Sequence, residues 1–94
     1  MIAPLAANDP RKVKFILTVI KKLIEGRLER RIRTRNFVSE CRRYEFYDGE
    51  ALNTIDYLIE KGLLQSISSF YYCGFIANKD LIEAVLVTLE EENG

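Results

Sequence analysis

The hydrophobic pattern of this chain changes its period at Gly62. Before that glycine, apolar residues recur at steps of three and four, which is the spacing of one face of an α-helix. After it come two short runs rich in β-branched and aromatic residues, with Ser68 and Ser69 between them, which is typical of a β-hairpin. Apolar residues at helical spacing return from Leu81 onward. The sequence therefore predicts a mainly α fold with one small β-hairpin.

The start of the first helix is predicted at Asp9 and Pro10. Asp is a favoured N-cap, and Pro at the first helical position has no amide hydrogen to satisfy. Gly26 is the expected end of this helix. The segment 28–33 fits either its last turn or a short strand, and Thr34 is the expected cap of a second helix of about ten residues, an ordinary helix length.

A third helix is predicted over residues 49–61, after a cap at Asp48 and before a left-handed glycine cap at Gly62. The two hairpin strands are predicted at 63–67 and 70–76. A glycine inside a strand pattern is often a bulge, which is our interpretation of Gly74.

The last helix is predicted over residues 79–91, with Asn78 as its cap. The chain of 94 residues is long enough for one domain, which we place at 1–94. Its core should comprise residues 10–77, and the last helix is either a dimerisation element or an addition to that core.

The residue types argue against an enzyme. There is no histidine, and we find no glycine-rich phosphate loop, nucleophile elbow or metal-ligand cluster, so we expect no cofactor and no metal. Cys41 and Cys73 lie far apart and outside any CxxC spacing. We expect each to be a small buried hydrophobe, and a disulfide between them is the alternative.

No apolar run approaches the length of a membrane span, and the first residues lack the basic and apolar regions of a signal peptide. We therefore expect a cytoplasmic protein.

The net charge is zero, but the charges are unevenly distributed along the chain. Residues 27–43 contain seven arginines and two glutamates, a balance of +5, whereas residues 80–94 contain five acids and no base. Such a dipolar chain can bind an anionic surface with one face.

Two segments resemble winged helix-turn-helix proteins. Residues 54–64, TIDYLIEKGLL, are similar to the end of the third helix and the first wing strand of that superfamily, and residues 31–38, RIRTRNFV, to its short first strand and second helix. The likeness extends over residues 10 to about 77 and is one of element order and spacing. It implies a winged-helix fold.

The resemblance further implies a homodimeric transcriptional regulator that binds double-stranded DNA with its third helix in the major groove. The implied phosphate contacts are Arg33, Arg35, Arg42 and Arg43. The implied base contacts are Asn53, Thr54 and Tyr57, and the wing residues are Phe70, Tyr71 and Tyr72. The implied dimerisation residues are Leu81, Ile82, Val85, Leu86 and Leu89.

Other interpretations of these residues stay open. The arginines also fit a solvated, ion-paired face, and the wing aromatics also fit packing against a helix. Residues 45–61 contain five acids and one base, which disfavours contact with phosphates. The alternative function is a winged helix that docks onto protein within a larger assembly.

Overall fold

Four helices and three strands make up the part of the chain that this computed structural model describes, namely residues 6–27, 30–44, 46 and 48–93. The predicted mainly α fold with an antiparallel hairpin is confirmed, and a short strand adds a third member to the sheet. In chain order the elements are α1 (Pro10–Ile24), β1 (Arg31–Arg33), α2 (Thr34–Arg42), α3 (Asp48–Glu60), β2 (Leu64–Ser68), β3 (Cys73–Ala77) and α4 (Lys79–Asn93).

Helix α1 begins and ends as its sequence predicts. The Asp9 carboxylate accepts a hydrogen bond from the amide of Arg11 at 2.9 Å, and Pro10 is the first helical residue. The Arg11 side chain also donates to Asp9, and this bond is the main reason that the pKa of Asp9 lies below its ordinary value. Gly26 follows the helix with a positive φ of 76°, a conformation that glycine adopts without steric cost.

Helix α2 starts one residue earlier than predicted. Thr34 is the first helical residue and not the cap, which is Arg33 in an extended conformation. The reason is that Arg33 is still paired with Gly74 in the sheet, so β1 runs directly into α2 without a spare residue. Of the segment 28–33, the strand interpretation holds for Arg31–Arg33, while residues 28 and 29 lie outside the described residues.

Helix α3 ends in the predicted glycine cap. Gly62 has a φ of 82°, its amide donates to the carbonyl of Ile59, and the amide of Leu63 donates to the carbonyl of Leu58. This pair of bonds is a Schellman motif, and both leucines are buried. At the other end Asp48, the predicted cap, is the first helical residue, and its side chain lies outside the described part.

The sheet is antiparallel throughout, with the order β1-β3-β2. Both strand pairs are in one-to-one register through Gly74, so the predicted bulge at this glycine is wrong. Strand β3 starts at Cys73, three residues later than predicted, because residues 70–72 belong to the turn.

One face of the sheet packs on the helices. The Phe75 ring of β3 meets the Phe37 ring of α2 edge-on, with 5.5 Å between ring centroids. Ile32 of β1 is buried on the same side, and residues of α1 such as Ile16 and Ile20 complete the core. The sheet thereby presents its other face to solvent.

Helix α4 folds back on α1, after the predicted cap at Asn78, whose side-chain oxygen accepts from the amide of Leu81 at 3.2 Å. Ile82 and Leu86 are buried in the core of the single chain, so their predicted use in dimerisation is wrong. Val85 and Leu89 are half-buried against that core, and Leu81 is exposed. The inner face of α4 is thus an addition to the core, which was the second of the two interpretations of this helix.

We predict that Ile82→Ala lowers the free energy of unfolding by about 2–5 kcal/mol, since it opens a cavity in a packed core. Leu81→Ala is the matched control, because Leu81 is its exposed neighbour on the same helix, and it should change stability little. Urea denaturation followed by circular dichroism measures both. A larger loss for Leu81→Ala would mean that the opposite face of α4 is the packed one.

The two cysteines are free and lie in different environments. Cys41 of α2 is fully buried, as predicted. Cys73 is exposed, so both its predicted burial and the disulfide alternative are wrong. It begins β3 beside the hairpin turn, where its strand partner Ser68 is exposed as well, and its sulfur lies 4.0 Å from the hydroxyl oxygen of Thr34.

We predict that one thiol of the folded protein reacts quickly with a disulfide reagent at neutral pH and that the second reacts only on unfolding. Burial is the main cause that raises the pKa of Cys41 from 9.0 to about 11, and the charge of Glu40 adds to it. Folding thus favours the protonated thiol, and this contribution to stability should be complete below pH 9 and lost as the pH rises towards 11. Cys73→Ser should abolish the fast reaction; a fast reaction that persists would place the reactive thiol at Cys41.

Candidate functional site

Charge is segregated among the elements of the fold. Helix α3 contains four acids and no base, and α4 contains five acids and one base. In contrast, residues 30–36, which form β1 and the start of α2, contain four arginines and no acid. Residues 64–78, which form the hairpin, contain no charged residue at all. Strand β1 and the start of α2 are therefore basic, as is α1, which contains five bases and no acid.

The alternation of β1 places its two arginines on the outer face of the sheet. Ile32 points into the core, and its neighbours Arg31 and Arg33 are exposed. Their guanidinium carbons lie 5.5 Å and 4.5 Å from the centre of the Tyr72 ring. Both distances are within the range of a cation–π contact, so the ring gathers two positive charges at one place.

Gly74 makes room for this ring. A Cβ atom at position 74 would overlap the carbonyl oxygen of Ile32 and lie 2.9 Å from a carbon of the Tyr72 ring. Tyr72 thus lies close over the backbone of β3, with the arginines above it. We call Arg31, Arg33 and Tyr72 the arginine–tyrosine stack.

The basic surface extends along the sheet in both directions. Arg35 is exposed in the first turn of α2, two residues after Arg33. At the end of the sheet away from the hairpin turn, Arg30 lines an open hollow of about 310 Å³ together with Gln65, Ile76 and Asn78. Arg30 and Arg35 thus flank the arginine–tyrosine stack along the chain, and both are exposed.

The structure divides the four predicted phosphate-binding arginines into two groups. Arg33 and Arg35 lie beside the sheet, whereas Arg42 and Arg43 lie at the other end of α2, about 10 Å further along a helix that rises 1.5 Å per residue. Arg43 is 3.4 Å from the carboxylate of Glu40, which also lies 3.5 Å from the ammonium of Lys22. This ion-paired arrangement matches the solvated-face interpretation for Arg43.

The three predicted base-reading residues of α3 have different surroundings. Thr54 is fully buried, and its hydroxyl donates to the carbonyl of Ala7 at 3.1 Å, so its predicted contact with a base is wrong. Its position on the inner side of the helix is the cause. Asn53 is exposed, and Tyr57 is half-buried with the Lys61 ammonium 5.8 Å from its ring centre. The exposed side of α3 also carries Asp56 and Glu60.

The hairpin turn presents two aromatic rings to solvent. Phe70 and Tyr71 are 93% and 85% exposed and contact each other edge-on, with 5.0 Å between centroids, so packing on a helix is the wrong interpretation for both. Tyr72, by contrast, is half-buried in the arginine–tyrosine stack. The turn is closed by the amide of Ser69, which donates to the carbonyl of Tyr72, and by the amide of Tyr72, which donates to the hydroxyl of Ser69.

Sequence reasoning missed Arg30, Arg31 and Gly74 as parts of this surface. A signal for Arg31 was present, because the pattern Arg-Ile-Arg in a strand places both arginines on one face. The stack of Tyr72 on Gly74 depends on the register of three strands, for which a single sequence carries no comparable signal.

No protein-family model, curated protein or solved structure matches this chain. Among the described residues, no group of three or more potential metal-ligating side chains is found, and no helix there has the length and apolarity that crossing a bilayer requires.

We predict that Gly74→Ala lowers the free energy of unfolding by about 1–3 kcal/mol, the range for a side chain forced into occupied space. Gly49→Ala in the first turn of α3 is the control, because a Cβ atom there meets nothing within 4 Å. Thermal melts of both variants test this prediction. Equal stability of the two variants would show that β1 and Tyr72 do not approach position 74 closely.

Proposed function

We propose that this chain is a winged-helix DNA-binding protein that contacts duplex DNA mainly through the outer face of its sheet. The proposal is compatible with the order of elements, in which a helix, a strand, two helices and a hairpin are followed by a final helix, and with the strand order β1-β3-β2. A role as a transcriptional regulator is part of this proposal.

The observation that carries the proposal is the convergence of arginines on a sheet whose hairpin is free of charge. The planar guanidinium group makes paired, charge-assisted hydrogen bonds to phosphate oxygens. Arg33 and Arg35 offer two such groups on the outer surface, beside an uncharged hairpin that repels no phosphate. The zero net charge of the chain does not oppose this binding, since the local field at the contact surface decides it.

The acidic surface of α3 supports a subordinate role for that helix. Glu50, Asp56 and Glu60 would face the phosphates that border a major groove, and each would be repelled. Asn53 and Tyr57 remain the candidates for base contacts. We therefore propose that most of the binding free energy comes from the DNA backbone and little from base sequence.

Homodimerisation is a further part of the proposal. Leu81 and Val87 are exposed on the outer side of α4, and Val85 and Leu89 are only half-buried beside them. A second copy that covered these side chains would pair two DNA-binding surfaces by two-fold symmetry.

We predict that Arg33→Ala and Arg35→Ala each weaken binding to a random-sequence duplex and reduce the slope of log affinity against log salt by about 0.9, the value for one lost phosphate contact. Fluorescence anisotropy at several salt concentrations measures both quantities. Arg11→Ala is the control, because it removes the same charge from an exposed residue that is already paired with Asp9.

Unchanged slopes for Arg33→Ala and Arg35→Ala would contradict the placement of the interface. A loss with Arg11→Ala as large as theirs would mean that overall charge, not this surface, drives the binding.

A second candidate function is docking onto another protein. It is favoured by the exposed Phe70 and Tyr71 on a hairpin without charges, since aromatic residues often dominate the binding energy of protein interfaces. If the chain binds no duplex even at low salt, this candidate replaces the first one.

A further inference from the structure

The hairpin turn bears on which form of DNA the protein prefers, a question that rests on the proposed DNA binding and deepens it. We infer that Phe70 and Tyr71 stack on unpaired bases, so that the protein prefers DNA in which a duplex opens into single strands over a continuous duplex.

The exposure of the two rings is the first argument. At 93% and 85% exposed, they add almost nothing to the core, and replacing them should cost the fold little. A duplex hides the faces of its bases inside the helix, whereas an unpaired base offers a π-face to any aromatic ring. The rings therefore match a ligand with exposed base faces.

The second argument is that the turn holds the rings in a defined position. The amide of Ser69 donates to the Tyr72 carbonyl at 2.8 Å, and the Tyr72 amide donates to the Ser69 hydroxyl at 3.1 Å, so residues 70 and 71 alone form the tip. Below this tip, the ring of Tyr72 lies close over Gly74. A base that stacks here meets rings whose backbone is already ordered, which reduces the entropy cost of binding.

The third argument is the distance from the tip to the basic surface. Arg33 is paired with Gly74, which is three residues from Tyr71, and a segment of three residues spans at most about 10 Å. One DNA strand advances about 3.4 Å per nucleotide, so an arginine that binds a phosphate lies within about three nucleotides of a base at the tip. One strand can therefore contact both parts of the hairpin at once.

The fourth argument is the charge of α3. Its four acids disfavour deep insertion into a major groove, whereas the arginines of β1 and the start of α2 give a basic surface beside the aromatic tip. Charge complementarity thus directs DNA to the part of the molecule that carries the stacking rings.

The test uses one labelled strand in three forms: alone, fully paired, and paired over half its length so that it opens into a fork. Anisotropy titrations of the 94-residue chain should give the highest affinity for the fork. The double variant Phe70→Ala with Tyr71→Ala should weaken fork binding by at least about fivefold, the lower limit for one lost base–aromatic stack. Its affinity for the full duplex and its salt slope should hardly change, because the arginines are untouched.

Two matched variants isolate stacking from other effects. Phe70→Leu with Tyr71→Leu keeps apolar bulk without a π-face and should lose the fork preference as the alanine pair does. Tyr44→Leu removes a half-exposed aromatic ring after the end of α2, away from the hairpin, and should leave the preference intact. A fluorescent adenine analogue, placed as the first unpaired base of the fork, should change its emission on binding the original chain and not on binding the leucine pair.

Other results overturn the inference. Equal affinity for fork and duplex, or a fork preference that survives both tip variants, refutes stacking but leaves the proposed DNA binding in place. Absence of binding to all three forms overturns the proposed function and this inference together, and the two rings then fit a protein partner better.

Discussion

The alternation of the three residues of β1 is the constraint on which the rest of this structure depends. Ile32 enters the core beside Phe75, while Arg31 and Arg33 on either side of it stay in solvent. A shift of one residue in the register would bury two guanidinium groups and expose the isoleucine, which fixes the pairing with β3. Since α2 begins immediately after Arg33, the same register also sets where that helix starts. The register of β1 therefore determines both how the sheet docks on the helices and where its arginines lie.

The contact between Arg33 and the Tyr72 ring is weak enough for a ligand to replace it. An exposed cation–π contact contributes only about 0.5–1 kcal/mol, less than the charge-assisted bonds that a guanidinium makes to phosphate. Tyr72 therefore keeps Arg33 close to the sheet without holding it firmly. The ring restricts where the guanidinium can be before binding, and exchanging the ring for a phosphate costs little. Glu40 acts differently on Arg43, because its negative charge 3.4 Å away offsets the positive charge that would attract a phosphate.

The sequence was sufficient for features that depend on neighbouring residues. The Asp9 and Asn78 caps, the glycine caps at Gly26 and Gly62 and the hairpin are all local, and each was predicted from residue types a few positions apart. Features that depend on distant contacts were not predictable in this way. Thr54 was predicted to contact a base, but the segment before α1 covers it in the structure. Gly74 was predicted to be a bulge, but it is a regular strand residue that β1 and Tyr72 approach closely.

The candidate site follows the same division between local and distant contacts. The cluster of arginines and the wing aromatics were visible in the sequence, but the split of the arginines between the two ends of α2 was not. The inner face of α4 illustrates the limit well. Five aliphatic residues at helical spacing predict an apolar stripe, and only the three-dimensional packing decides whether that stripe meets its own chain or another.

The hairpin also separates the residues that hold the fold from those free to vary. Positions 70 and 71 bury almost no surface, so mutations there should hardly change the stability of the fold and should act mainly on whatever the tip contacts. Three positions later, Gly74 tolerates no side chain at all without displacing β1. If the tip binds a ligand as proposed, single substitutions at positions 70 and 71 can change its preference while the strand beneath it stays the same. Such substitutions would need no extra stability in the fold beforehand.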